Sequence, residues 1–162
     1  LSALPSYVLR VGVQSLQVVH SGSSTDRLHS VYPVVESNAV PFVLRPQVMA
    51  IAVEDANEGD DGVLTGTVTV GVNLAIAPGQ RVVLALNEIE SDCPNAYKFD
   101  GPRREQKVHR VRIPINNVKP GSYLARLLID GAESQIKIES NTNSPISERY
   151  IGPRLEIQAF AV

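Results

Sequence analysis

Few side chains in this chain are of a type that does chemistry, and their spacing sets limits on what they can do. One cysteine, Cys93, lies in Ser91-Asp92-Cys93-Pro94-Asn95, and three histidines, His20, His29 and His109, supply imidazoles. A nucleophilic thiol needs a base and a group to orient it. No such partner stands near Cys93 in sequence, so the thiol reads as inert. A zinc site needs further Cys and His at short spacings, and these are absent. The run Glu54-Asp55-Ala56-Asn57-Glu58-Gly59-Asp60-Asp61-Gly62 offers the hard oxygen ligands that calcium prefers. It lacks the alternating ligand spacing of an EF-hand and reads as a solvated loop. Arg103-Arg104 beside Pro102 offers a grip for an acidic partner, against the plainer reading of two solvated cations. Phosphate-cradling glycine loops and nucleophile-elbow motifs are missing, so no enzyme, cofactor or metal is expected.

The elements that would position these residues follow an alternating pattern. Leu64, Gly66, Val68 and Val70 fall on one face while Thr65, Thr67 and Thr69 fall on the other, which predicts a half-buried strand. Residues 81–87 hold the apolar run Val82-Val83-Leu84-Ala85-Leu86 after a Pro78-Gly79 turn, which predicts a strand buried on both faces. His109, Val111, Ile113 and Ile115 share the apolar face of another strand. After Pro120-Gly121, residues 122–130 place Tyr123, Ala125, Leu127 and Ile129 together. Asp130-Gly131 then suits a tight hairpin turn, with a return strand over 133–139 that points Ile136 and Ile138 inward. Residues 47–53 and 154–157 complete the set. About seven short strands with turn signals between them predict an all-β, immunoglobulin-like antiparallel β-sandwich over residues 46–162. Tyr123, at the head of its strand, is placed to tie a corner through its hydroxyl.

Bulk properties agree with a folded module. At 162 residues the chain can bury about two thirds of its unfolded surface. A single cysteine means that no internal disulfide holds the fold. Fifteen Lys and Arg against 17 acids, without a basic stripe, argue against nucleic acid. No apolar run is long enough for a membrane helix, and the first residues lack the pattern of a signal peptide.

Residues 1–45 behave differently. The chain begins without methionine and runs into an apolar stretch, Tyr7-Val8-Leu9, as a fragment of a longer protein would. Residues 7–20 read as one long strand with no evident partner in the sandwich, so it is expected to seek the strand edge of a neighbouring subunit. It supplies the candidate interface residues Tyr7, Val11, Val13, Leu16 and Val18. The proline-bounded triplet Pro41-Phe42-Val43 is expected to pack between domains, or failing that to dock a partner, and Arg103 and Arg104 complete the candidate interface.

Val35-Glu36-Ser37-Asn38-Ala39-Val40-Pro41-Phe42-Val43-Leu44-Arg45-Pro46 resembles the interdomain junction of tail-terminator, or cap, proteins of contractile injection systems. Further similar stretches are Pro78-Gly79-Gln80-Arg81-Val82-Val83-Leu84-Ala85-Leu86-Asn87-Glu88, Pro120-Gly121-Ser122-Tyr123-Leu124-Ala125-Arg126, Asp130-Gly131-Ala132-Glu133-Ser134 and Tyr150-Ile151-Gly152-Pro153-Arg154. The resemblance implies that residues 1–45 are the end of a mostly missing terminator domain plus its linker, and that residues 46–162 are an accessory sandwich. It also implies a homo-hexamer that closes the baseplate-distal end of a tube and sheath, assembled in the bacterial cytoplasm as part of a phage-tail-like particle. Without the terminator domain, the chain alone is expected to be a monomer or a weak oligomer. The competing expectation is an adhesion or carbohydrate-binding module. Against it, tryptophan is absent and only five tyrosines and three phenylalanines are present, whereas recognition sites commonly draw on aromatic rings. An enzyme completed by an upstream domain ranks last.

Overall fold

The computed structural model describes residues 9–20, 35–59, 61–89, 91–140 and 148–158. The strands in chain order are β1 (Gly12–Leu16), β2 (Val19–His20), β3 (Val35–Glu36), β4 (Val40–Leu44), β5 (Val48–Glu58), β6 (Leu64–Ile76) and β7 (Val82–Glu88). They continue with β8 (Ala96–Asp100), β9 (Val108–Val118), β10 (Gly121–Ile129), β11 (Ala132–Glu133), β12 (Lys137–Ser140), β13 (Glu148–Gly152) and β14 (Arg154–Ile157). The described residues contain no helix, and every strand pair is antiparallel.

Two sheets make the sandwich. One has the order β5-β6-β9; in the other β8, β7 and β10 run side by side, with β14 and β11 sharing the far edge of β10. Inward side chains fill the space between them: Val68 and Val70 from β6, Ile113 and Ile115 from β9, Leu84 and Leu86 from β7, Leu127 and Ile129 from β10. These eight are almost fully buried, and at about 1.5–3 kcal/mol per large apolar side chain they dominate the stability. The fold is therefore the expected all-β, antiparallel sandwich. Asp130 (φ 48°) and Gly131 (φ 82°) form the β10–β11 turn, since both central residues of this hairpin need the left-handed region. The Tyr123 hydroxyl donates to the Lys119 carbonyl at 2.7 Å, the expected corner tie. Burial, with Tyr97 and Glu88 nearby, pushes the Tyr123 phenol far above its ordinary pKa.

Several expectations need correction. The return strand over 133–139 is not one strand: β11 pairs with β10 for two residues, then the chain leaves and β12 pairs with β13. The reason is competition, because β14 already occupies the same edge of β10 over Gly121 to Leu124. Ile138, expected inward, is 47% exposed. Residues 54–58, read as a loop, continue β5 through an irregularity at Asp55 (φ 52°), so the connection to β6 is short, with the Gly59 amide donating to the Val63 carbonyl. His109 is exposed, not on the buried face with Val111, because the β6–β9 register shifts beyond Arg110. On β7 the inner face is fully buried, while on the outer face Val83 is only partly covered. β8 carries Tyr97 and Phe99 as half-buried edge residues and was not anticipated from the sequence.

Candidate functional site

Residues 12–20 and 35–44 form an antiparallel ribbon: β1 pairs with β4 from Gly12↔Leu44 to Leu16↔Val40, and β2 pairs with β3 beyond it. The strand expected over 7–20 without a partner thus has one in its own chain; it is two short strands, and Tyr7 lies outside the described residues. The apolar alternation of a lone strand and that of half a hairpin are identical, so only the return of Val40–Leu44 decided between them. The spacer Gln17-Val18 is held by Ser37, whose Oγ accepts from the Val18 amide at 2.9 Å while its own amide donates to the Val18 carbonyl.

Cross-strand neighbours share a face and faces alternate. Val13 with Val43 lies on one face, and Leu16 with Val40 on the other, beside Phe42. Val13 is 67% and Val40 60% exposed; Leu16, Val18 and Val43 are also more than half exposed. Both faces of the ribbon are therefore apolar and open. Pro41-Phe42-Val43, expected to pack between domains, leaves Phe42 38% and Val43 55% exposed and forms part of this surface. Val11 departs in the opposite direction: it is 0% exposed in the sandwich core, so it is an anchor and cannot be an interface residue.

The ribbon is braced at the root of both strands. On the β1 side, the buried Gln80 donates from Nε2 to the Val11 carbonyl and to Asp130 Oδ2, each at 2.8 Å, while its Oε1 accepts from the Ala77 amide. Asp130 Oδ1 accepts from the Arg81 amide at 2.8 Å. On the β4 side, Arg45 donates from Nε to the Glu133 carbonyl at 2.8 Å and from Nη2 to the Ser134 carbonyl, and the Gln135 amide donates to the Pro46 carbonyl. Sequence reading missed Gln80, Arg45 and Ser134 in this role. The available signal was a set of polar residues at strand ends, which does not reveal what they meet.

Arg103 is exposed, and Arg104 is not the free cation expected. Its guanidinium donates to the Pro102 and Gln80 carbonyls, each at 2.8 Å, and burial lowers its pKa. It stiffens the loop that carries Gln80. Both arginines line an open groove of about 740 Å³ with Arg81, Asp100 and Glu105. In that groove Arg81 is already tied to Asp100 at 2.9 Å, which raises its pKa. In the former calcium candidate, Asp55 pairs with Arg112 at 2.6 Å, and no cluster of three His, Cys, Asp or Glu fit to hold a metal occurs among the described residues. Cys93 is exposed and its amide donates to Ser91 Oγ; His20 is exposed on β2, and His29 lies outside the described residues. No helix among the described residues is long and apolar enough to cross a membrane.

A family model described as a domain of unknown function, DUF8756, matches residues 42–157, which takes in the end of β4 from Phe42 and the strands β5 to β14. No curated protein and no solved structure matches the chain.

Proposed function

The chain belongs to that DUF8756 family, and we propose that it is a non-enzymatic assembly module: a tail-terminator, or cap, protein of a contractile injection system. In this reading six copies form a ring on the end of the tube and sheath distal to the baseplate. The ring covers the growing surface and so fixes tail length. The observation that carries the reading is the braced ribbon, apolar on both faces and held out from the sandwich by Gln80 and Arg45. A two-stranded ribbon is marginal alone, and apolar surface of this kind marks contact with other proteins. The likeness of residues 35–46 and of the stretches around Gly79, Tyr123, Gly131 and Gly152 to cap proteins supplies the specific partners, tube and sheath subunits.

The test is electron microscopy of phage-tail-like particles from the source cells with and without the encoding gene. Loss of the gene is expected to give tails of uncontrolled length. Particles of normal length in its absence refute the cap reading, and selective binding in a glycan array favours the carbohydrate-binding alternative.

A further inference from the structure

The groove that holds Arg103 and Arg104 carries positive charge that the chain itself leaves unanswered. Its walls include Arg81, Asp100, Arg103, Arg104 and Glu105, and its volume of about 740 Å³ is of a size usual for binding sites. Asp100 is spent on Arg81. Arg104 is fixed by the Pro102 and Gln80 carbonyls, which hold a guanidinium without neutralising it. Arg103 is exposed, and no salt bridge among the described residues reaches either arginine. The segments outside the described residues add little acid. Residues 1–8, 141–147 and 159–162 contain no Asp or Glu, and residues 21–34 contain one, Asp26, beside Arg27.

The acid lies at the opposite end of the sandwich. β6 runs 13 residues from Leu64 to Ile76, roughly 40 Å at about 3.3 Å per residue. Gly79 lies in the turn after its last residue, and Glu105 shortly precedes Val108, which pairs with Ile76, so the groove sits at that end. At the other end Leu64 pairs with Glu58 and with Val118. The β5–β6 turn there is closed by the Gly59 amide on the Val63 carbonyl at 2.9 Å. It carries Asp61, exposed and without a partner among the described residues, close to Glu58, and Lys119 follows Val118. The two ends thus bear opposite patterns: Arg103, Arg104 and Glu105 against Asp61, Glu58 and Lys119.

We propose that copies of this chain associate head to tail, the acidic β5–β6 turn of one copy seated in the arginine groove of the next, with Arg103 meeting Asp61 of the partner subunit. Charge complementarity between the two ends of one chain selects a second copy as the occupant. The two surfaces differ, so the contact is heterologous: it makes a ring if the rotation closes and a filament if it does not. Complementary charge of this kind sets partner and register more than affinity, because exposed ion pairs contribute little each. The free chain therefore associates weakly, and the contact strengthens where several copies are already held together. Groove and turn exist whether or not the chain caps a tube, so the contact does not depend on that reading.

Sedimentation velocity from micromolar to millimolar concentration is expected to show a coefficient that rises with concentration at about 20 mM salt and stays at the monomer value at about 500 mM, where exposed charges are screened. Arg103→Glu and Asp61→Lys, both at exposed positions, are each expected to abolish the rise and leave the circular dichroism spectrum unchanged. Mixed in equal amounts, the two variants are expected to restore it. The altered groove of one then meets the altered turn of the other, and the unaltered groove meets the unaltered turn. A wild-type chain that stays monomeric at millimolar concentration and low salt overturns the proposal. Self-association that survives either variant overturns it too and assigns the contact to another surface, as does a mixture that fails to associate. None of these results touches the cap reading, which tail length tests separately.

Discussion

Replacing Gln80 by alanine tests whether the ribbon is held by the polar clasp at its root. The side chain is 8% exposed and makes three hydrogen bonds at 2.8 Å: from the Ala77 amide, to the Val11 carbonyl and to the Asp130 carboxylate. The two neutral bonds are worth about 1 kcal/mol each and the charge-assisted one about 1.5 kcal/mol, less the rotamer freedom that alanine no longer loses. The expected cost is about 2 kcal/mol. For a chain of this length each kcal/mol lowers Tm by about 2–4 °C, so the melt should fall by about 4–8 °C. The cost should not be spread evenly. Asp130 keeps the Arg81 amide and the β10–β11 turn keeps its backbone, whereas the Val11 carbonyl loses its only side-chain donor among the described residues. Hydrogen exchange read by mass spectrometry should accelerate in β1 and β4 and stay near wild type in β6, β7 and β10, whose protection comes from the core. Uniform acceleration, or a loss below about 1 kcal/mol, would refute the clasp and leave Val11 packing as the anchor.

Tyr123→Phe keeps the buried ring but deletes the bond to the Lys119 carbonyl, for an expected cost of about 1–2 kcal/mol and a Tm fall of about 2–8 °C. Because burial raises the phenol's folded pKa, its contribution is complete below about pH 10 and is lost as pH rises beyond that value. Melts between pH 8 and 11 should therefore decline more steeply for wild type than for Tyr123→Phe, and parallel curves would refute the assignment. Glu88 accepts from the Asn95 amide at 2.8 Å and from Asn95 Nδ2 at 2.6 Å, which lowers its pKa. A depressed carboxylate pKa stabilises above the ordinary range of about 4.3 and stops doing so as pH falls through the folded value. The stability gap between wild type and Glu88→Gln, measured by urea titration, should thus narrow from pH 7 to pH 3; a constant gap refutes the role.

The sequence by itself determined the sandwich. Period-two alternation at Leu64 to Val70 and Val111 to Ile115, the Asp130-Gly131 turn and the corner at Tyr123 are local signals, and local chemistry decided them. β8 escaped because Ala96–Asp100 offers only Tyr97 and Phe99 as an alternating pair, too few to stand out from a loop. What only the tertiary structure decided was pairing and competition. Whether residues 133–139 could return along β10 depended on β14, some twenty residues later, claiming that edge. Whether Val11 and Val13 were core or surface depended on where the ribbon met the sandwich, since residues of one strand can leave a core within two positions. The apolar surface of the ribbon was legible as composition, but its exposure was not: alternation gives a strand two faces, and only the long-range contacts of the fold settle which of them, if either, is covered.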